Sequence, residues 1–287
     1  MNLESAIRNS MTRLPAFPAT IHRVTGLIND PDSSLTDLVE VIRLDQSITA
    51  NILRMCNSAY FGLRHKVDNV HDAILYLGRQ NVVRAVMAAG TSRFFKSTPG
   101  YETEARELWE HAVGTALLAQ ILAERVSRHA DASLFTAALL HDIGKIVLGE
   151  FVKDKYAEIK KLVAEQSRTF LEAEEKVLGM NHATLGGMIA AQWKFPEEIR
   201  VAIAFHHRPD RLQDKTGRMP WLVHLADQGC LMLGIGRGAD GLAYDGADGA
   251  LERLGLNRQD YEEALARLVK EMDNAREMVG IVQASPN

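Results

Sequence analysis

The chain has 287 residues, of which 46% are hydrophobic and 24% charged, and its formal net charge is −4. A chain of this length accommodates one large domain or two moderate ones around a hydrophobic core, without requiring disulfides. The negative charge argues against non-specific binding to phosphate backbones, so we expect no nucleic acid among the partners.

Several features bear on the cellular location. The N-terminus reads MNLESAIRNS and lacks the basic stretch and apolar core of a secretory signal. No apolar run approaches the roughly 18 residues that a membrane span requires. The two cysteines, Cys56 and Cys230, lie far apart in apolar surroundings and are expected to be reduced thiols. We therefore expect a cytoplasmic protein without membrane contact.

Helical periodicity dominates the chain. Apolar residues recur three or four apart between Ser34 and Asn57, which predicts a helix with one buried face, and Asp32 and Ser33 offer N-cap oxygens. Further helices are predicted over residues 70–77, 82–89, 109–126, 132–148, 157–166, 171–178, 182–192, 197–206 and 258–278. Alternating strand patterns are scarce. The predicted fold class is all-α.

The chain is expected to divide near residue 100. The segment Thr98-Pro-Gly-Tyr-Glu-Thr103 is typical of a junction and predicts an N-terminal helical part over 1–99 and a C-terminal helical part over 100–287. The glycines between Gly234 and Gly249 mark a loop in or beside the C-terminal part. Within it, the glycine-rich segment Gly234-Ile-Gly-Arg-Gly238 does not follow a strand within a strand–helix–strand unit. It is therefore better explained as a turn between helices than as a phosphate cradle.

A set of histidines and acidic residues is the candidate reactive site of the chain. Glu107 and His111 stand at i and i+4 on one helix face. His141 and Asp142 are adjacent at the end of an apolar helix. The set is completed by His182, His206, His207 and Asp227. A single helical histidine is more often a core or capping residue than a ligand, so the weight of the prediction lies in the order and the helical settings of the whole set.

Neutral imidazole and carboxylate suit first-row transition metals such as iron, manganese, nickel or zinc. The carboxylate of Asp142 can bridge two ions, and two ions about 3.5–4 Å apart can activate water and stabilise a phosphoryl displacement. Lys145, one turn after the acid, can neutralise or orient a phosphate. The sequence thus predicts a hydrolytic centre in which Asp142 and Lys145 are the candidate catalytic residues.

The order H…HD…D resembles the HD superfamily of metal-dependent phosphohydrolases, carried here by His111, His141, Asp142 and Asp227. The remaining candidates resemble the larger set of the HD-GYP branch, which hydrolyses cyclic di-GMP with two or three metals: Glu107, Lys145, His182, His206 and His207.

That resemblance implies a division of the ligands. The first ion would be held by His111, His141, Asp142 and Asp227. Asp142 would bridge to a second ion held by His182, His206 and His207. Glu107 would serve a third ion, and Lys145 would face the phosphate. The Gly-Tyr-Pro loop of that branch is absent, since this chain continues after His207 with Arg208-Pro-Asp-Arg, which argues against cyclic di-GMP hydrolysis of the standard kind.

The N-terminal half resembles the HDOD family through Leu14-Pro-Ala-Phe-Pro18, Asn57-Ser58-Ala59 and Ala73-Ile-Leu-Tyr-Leu-Gly78. Asp45-Gln46 replaces the Asp-Pro that is common there. The resemblance spans residues 10–235 and implies an all-helical HDOD part packed on an HD-superfamily bundle, in a bacterial signalling protein. Many members of that family lack part of the metal set, whereas this chain carries all of it.

Three functions remain open at this point. The chain is a metal-dependent phosphohydrolase acting on a nucleotide, cyclic dinucleotide or other phosphoester, or a non-catalytic signalling module that binds metal or a nucleotide, or a protein with a closed structural metal site. No receiver, output or DNA-binding domain is recognisable in the sequence. Any signalling protein partner is therefore expected to act in trans.

Overall fold

The structure, a computed structural model, describes residues 3–30, 32–57, 65–127, 132–166, 169–212, 217–236, 238 and 249–283. Throughout these ranges the regular elements are helical, and the extended pairing consists of one antiparallel bridge between Thr98 and Thr103. The predicted all-α fold class is confirmed.

Fifteen α-helices lie in the described ranges, with short 3-10 turns at Ser92–Phe94, Pro99–Tyr101 and Pro209–Arg211. In chain order the α-helices are α1 (Leu3–Met11), α2 (Ala19–Asn29), α3 (Leu35–Arg43), α4 (Gln46–Cys56), α5 (Val70–Leu77), α6 (Arg79–Thr91), α7 (Ala105–Ser127), α8 (Ala132–Leu140), α9 (Ile143–Gln166), α10 (Phe170–Leu178), α11 (His182–Gln192), α12 (Glu197–Phe205), α13 (Met219–Met232), α14 (Ala250–Leu254) and α15 (Arg258–Gln283).

The chain forms two compact units that alternate along the sequence. The first unit comprises Met1–Ala16, Phe94–Ala130 and Leu134–Leu268. The second comprises Phe17–Arg93, Asp131–Ser133 and Val269–Asn287. The two-segment division into 1–99 and 100–287 that the sequence indicates stays a prediction.

In the second unit, the helix predicted from Ser34 to Asn57 is interrupted at Leu44 and Asp45. The first half, α3, begins with a capping box in which Ser34, not Asp32 or Ser33, is the N-cap: its hydroxyl accepts from the amide of Asp37. The second half, α4, begins anew because the carboxylate of Asp45 accepts the amide of Ile48 at 3.1 Å. A local polar cap thus outweighs the continuous apolar pattern.

Asn57 closes α4 by binding backbone on both sides. Its side-chain nitrogen donates to the carbonyls of Leu53 and Val67, and its side-chain oxygen accepts the amide of Val67 at 2.8 Å. Asn57 is the first residue of the Asn57-Ser58-Ala59 motif, whose other two residues lie outside the described part of the chain. The three hydrogen bonds of Asn57 explain in structural terms why the motif begins with asparagine.

In the first unit, α7, α9, α11, α12 and α13 pack together around the metal-ligand candidates. Glycine permits the closest approach, between α9 and α11: a Cβ added at Gly144 would lie 1.9 Å from the carbonyl oxygen of His182. A Cβ at Gly187 would lie 2.7 Å from that of Ala204 on α12. The first contact brings the start of α9 and the start of α11 together, and the second packs α11 against α12.

The region predicted as helices over 132–148 and 157–166 is divided differently. A turn at His141 and Asp142 separates α8 from α9, which then continues without a break to Gln166. The amide of Lys145 donates to the carbonyl of Asp142, so α9 begins directly after the two ligands. Contrary to the expectation from the sequence, the span Ala132–Glu165 is long and apolar enough to cross a membrane, but 89% of its apolar window is buried inside the protein, as in a core element.

Candidate metal centre

Seven of the eight predicted ligands lie together in the first unit. They come from α7, the turn before α9, the first residue of α11, the residues that follow α12, and α13. Their side chains are at most 5% exposed. The seven residues are His111, His141, Asp142, His182, His206, His207 and Asp227.

The first group of atoms surrounds Nε2 of His111. That nitrogen lies 3.1 Å from Oδ1 of Asp227, 3.2 Å from Nε2 of His141 and 3.7 Å from Oδ2 of Asp142. Nε2 of His141 is also 3.4 Å from Oδ2 of Asp142. Four side chains thus direct ligating atoms towards one point.

The second group surrounds the other oxygen of Asp142. Its Oδ1 lies 3.4 Å from Nε2 of His182 and 3.8 Å from Nε2 of His206. Nε2 of His182 lies 2.9 Å from Nε2 of His207. Asp142 therefore presents one oxygen to each group, which is the arrangement that a bridging carboxylate requires.

Glu107 is not brought into either group. Its side chain is exposed, and its carboxylate accepts the backbone amide of Glu104 at 3.1 Å, at the start of α7. An acid in the first turn of a helix is stabilised by free amides and by the helix dipole. The i, i+4 spacing to His111 is present in the chain, but here the acid serves the helix terminus.

Lys145 lies beside the bridging acid, as the spacing suggested. Its Nζ donates to Oδ2 of Asp142 at 2.7 Å, and both side chains are buried. The same Nζ lies 5.5 Å from the ring centre of Tyr101. This cation therefore partly neutralises Asp142 and stands next to the ligand groups.

The outer nitrogens of three ligand histidines donate to backbone carbonyls. Nδ1 of His141 donates to Ala138 and Nδ1 of His206 to Ile203, each at 2.7 Å and three residues earlier. Nδ1 of His111 donates to Ile235, which follows α13, at 3.0 Å. In the neutral ring a protonated Nδ1 leaves the lone pair on Nε2, so each ring turns towards the centre the nitrogen that a metal binds.

Burial and neighbouring charge set the protonation of the ligands. Burial and then the nearby charge of His141 lower the pKa of His206 to about 3, which keeps its imidazole neutral at neutral pH. Burial also lowers the pKa of His207 well below its usual value. For Asp142, burial acts to raise the pKa, but Lys145 and His141 outweigh it and hold the pKa well below its usual value. Neutral imidazoles and an ionised carboxylate are the forms in which these groups bind metal.

The distances between facing imidazole nitrogens fit two ligands of a shared cation. With Nδ1 of His111 and His141 donating outward, their Nε2 atoms face each other at 3.2 Å. Two nitrogens bound to one ion at about 2.0–2.1 Å lie about 2.8–3.4 Å apart in octahedral or tetrahedral geometry. The 2.9 Å between Nε2 of His182 and His207 falls in the same range.

Three buried ligating atoms have no hydrogen-bond partner: Oδ1 of Asp142, Oδ2 of Asp227 and Nε2 of His206. Buried polar atoms without partners cost free energy, and a cation would supply the missing interaction. The mixed nitrogen and oxygen donors fit a first-row transition metal. The residues present therefore fit a metal centre.

Three buried polar residues around the centre were missed from the sequence. Glu174 binds His182, Tyr101 binds Glu174, and Nδ1 of His224 donates to the carbonyl of His206 at 2.6 Å. A signal existed for Glu174, which lies midway between Phe170 and Leu178 on the apolar stripe of α10. His224 likewise stands between Val223 and Leu225 on a buried helix face.

Comparison with known proteins gives a consistent result. A solved HDOD domain protein of unknown function from Geobacter sulfurreducens is 25% identical, with 98% of this chain and 97% of that one covered and a TM-score of 0.74. A candidate signal transduction protein from Marinobacter aquaeolei VT8 is 24% identical, with 99% and 62% covered and a TM-score of 0.77. A candidate metal-dependent phosphohydrolase from Shewanella amazonensis SB2B is 19% identical, with 93% and 98% covered and a TM-score of 0.55.

An uncharacterized protein from Treponema pallidum is 25% identical over 206 residues, which are 71% of this chain. The chain spans only 40% of that relative's length. The HDOD domain model matches residues 14–209, which include both the capped helices of the second unit and most of the ligand set. The chain belongs to the HDOD domain family.

Proposed function

We propose that this HDOD protein is a bacterial signalling protein whose polynuclear metal centre hydrolyses a phosphoester, such as a nucleotide or a cyclic dinucleotide. The observation that carries the proposal is the convergence of seven buried ligands next to the cation of Lys145, with no hydrogen-bond partner for Oδ1 of Asp142, Oδ2 of Asp227 and Nε2 of His206. The structural likeness to a candidate metal-dependent phosphohydrolase supports the same reaction class.

The ligands divide into two sets that share one residue. His111, His141, Asp142 and Asp227 would hold one ion, and Asp142 with His182, His206 and His207 would hold another. His206 also lies within ligating distance of His141 and Asp227. Iron, manganese, nickel and zinc all suit these donors. Bound ions would supply Lewis-acid chemistry, which lowers the pKa of water and compensates charge on a phosphoryl group.

The chain's own residues complete the reaction centre. Asp142 orients both sets because each of its oxygens faces one of them. Lys145 places a positive charge within 2.7 Å of that carboxylate, where it can attract a phosphate oxygen as the phosphate approaches. The low exposure of the ligands excludes bulk water, which strengthens these electrostatic interactions.

Metal content tests the proposal. The protein is purified without chelator or added metal and analysed by mass spectrometry, together with His141→Ala, Asp142→Ala and the control His71→Ala, an exposed histidine of the second unit. We expect two or more equivalents of transition metal in the parent chain and in the control, and a loss in both ligand variants. A panel of phosphoesters is then assayed with the loaded protein. Absence of metal, even after reconstitution, would overturn the proposal.

One observation favours a second candidate, a non-catalytic signalling module. The ligand side chains are almost fully buried, so the centre resembles a closed site that senses metal or supports the fold. In that case a partner protein acting in trans would respond to the loaded state. Full metal occupancy with no turnover across the panel would support this candidate, whereas turnover that Asp142→Ala abolishes would exclude it.

A further inference from the structure

His182 differs from His111, His141 and His206 in the partner of its outer nitrogen. Where those three donate to backbone carbonyls, Nδ1 of His182 lies 2.8 Å from Oε2 of Glu174, a carboxylate with no exposed surface. The backbone amide of His182 donates to the same oxygen at 2.9 Å. Both the ring and the main chain of His182 are therefore held by one acid.

The other oxygen of Glu174 is held as well. The hydroxyl of Tyr101 donates to Oε1 at 2.5 Å, and Tyr101 is itself fully buried. Because Oε2 already accepts the backbone amide of His182, it acts as the acceptor for Nδ1 as well, which places the ring proton on Nδ1 and the lone pair on Nε2. That lone pair faces Oδ1 of Asp142 and Nε2 of His207, the other ligands of the second set.

Tyr101 is fixed by close backbone packing. It ends the short turn Pro99–Tyr101, where a Cβ added at Gly100 would lie 2.2 Å from the carbonyl oxygen of Gly149 on α9. Its ring contacts that of Phe170, the first residue of α10, at 5.7 Å. These two contacts hold the ring in the position from which its hydroxyl donates to Glu174.

Helix capping alone does not account for Glu174. The N-terminus of α11 already has a cap, since the side-chain oxygen of Asn181 accepts the amide of Thr184 at 2.8 Å. The contact between Glu174 and the imidazole ring is additional to that cap. A carboxylate behind a metal-bound histidine fixes the tautomer and raises the basicity of the ligand.

We propose that Glu174, oriented by Tyr101, is the positioning residue for the second ion, acting through His182. The inference rests on the proposed metal centre. It predicts an asymmetry: the set containing His182 depends on a buried carboxylate and a tyrosine hydroxyl, whereas the set containing His111 and His141 depends on backbone carbonyls. Loss of the Glu174 carboxylate or of the Tyr101 hydroxyl therefore selectively weakens the binding of the second ion.

Titration with Mn²⁺, followed by electron paramagnetic resonance, tests this selectivity. The chelator-treated parent chain is compared with Tyr101→Phe, which removes only the hydroxyl, and with Glu174→Gln. The control is Tyr261→Phe, which removes another buried tyrosine hydroxyl, bonded to the carbonyl of Leu225 at 2.9 Å. Melting temperatures of all four proteins report folding.

We expect the parent chain and the control to bind two ions whose spectra show magnetic coupling. In Tyr101→Phe and Glu174→Gln, we expect the second ion to bind about 10- to 100-fold more weakly, while the affinity for the first ion is unchanged. The spectrum of these variants is then that of uncoupled Mn²⁺. Equal binding of both ions in the variants, or equal weakening of both, would overturn the inference and leave the proposed function standing. A parent chain that binds no ion would overturn both.

Discussion

Lys145 and Asp142 form a buried ion pair in which Nζ lies 2.7 Å from Oδ2 of a carboxylate that also faces four histidines. The pair joins the candidate catalytic cation to the residue shared by both ligand sets. Replacing Lys145 by Met keeps most of the side-chain volume but removes the charge. Because the metal ligands remain, we expect unchanged metal content and about 100-fold slower turnover of a phosphoester substrate.

Steady-state kinetics and metal analysis on the same preparation check this prediction. Lys155→Met, an exposed lysine on the same helix, serves as the control and is expected to behave like the parent chain. Turnover that survives Lys145→Met would remove Lys145 from the reaction.

Gly144→Ala tests the close contact between α9 and α11. The added methyl would overlap the carbonyl oxygen of His182, a backbone atom that cannot rotate away. We expect a loss of about 1–3 kcal/mol of unfolding free energy, together with weaker binding of the second ion, because His182 is displaced. Urea denaturation and Mn²⁺ titration measure the two effects.

Gly26→Ala provides the comparison. Gly26 lies on α2, and an added Cβ there meets nothing within 4 Å. We expect a gain of up to about 1 kcal/mol, since alanine favours helix more than glycine does. Equal responses of the two glycines would show that the contact at Gly144 is not tight.

The pH dependence of the metal-free protein follows from its buried histidines. Burial, followed by the charge of His141, lowers the pKa of His206 from 6.5 to about 3. The unfolded chain binds more protons than the folded one in that window, so the free energy of unfolding falls as the pH decreases from about 6.5 to 3.

The contribution of His141 to the pH dependence of stability has the opposite sign. Burial acts to lower its pKa, but Asp142 and Asp227 outweigh burial and raise it. Its stabilising contribution is complete below pH 6.5 and is lost as the pH rises through the raised pKa. We therefore expect maximal stability near pH 6.5, measured by urea denaturation in the presence of chelator. A flat profile between pH 4 and 8 would contradict the assigned shifts.

Asn57→Ala tests the family motif of the second unit. The substitution leaves the amide of Val67 and the carbonyls of Leu53 and Val67 without their side-chain partner. We expect a loss of about 1–3 kcal/mol of unfolding free energy and unchanged metal content. Asn81→Ala, which removes a single bond to the carbonyl of Leu77, should cost less. A metal loss in Asn57→Ala would contradict a purely structural role.

Helix content could be predicted from the sequence because apolar periodicity reports burial directly. The ends of the helices were harder to predict from the sequence. The interruption at Leu44 coincides with a cap by Asp45. The turn at His141 lies where Nε2 of His141 meets Nε2 of His111, 30 residues earlier in the chain. Periodicity continues across both positions, so the pattern alone favours continuous helices.

The candidate site, too, could be predicted only in part from the sequence. The order of ligands identified seven residues that converge, because a metal centre restricts residue type strongly. It also included Glu107, since an acid in the first turn of a helix looks the same whether it caps the helix or binds an ion. Glu174 was missed because its partners, Tyr101 and His182, are defined only by the packing of distant segments.

The anchoring of His111 has a consequence for the order in which the protein matures. His141 and His206 find their carbonyl partners three residues away, but His111 finds its partner 124 residues later, at Ile235. During synthesis from the N-terminus, the first ligand set therefore lacks Asp227, and His111 lacks its anchor, until nearly the whole of the first unit has left the ribosome. The metal uptake proposed for this set would therefore belong to the completed fold and not to the nascent chain.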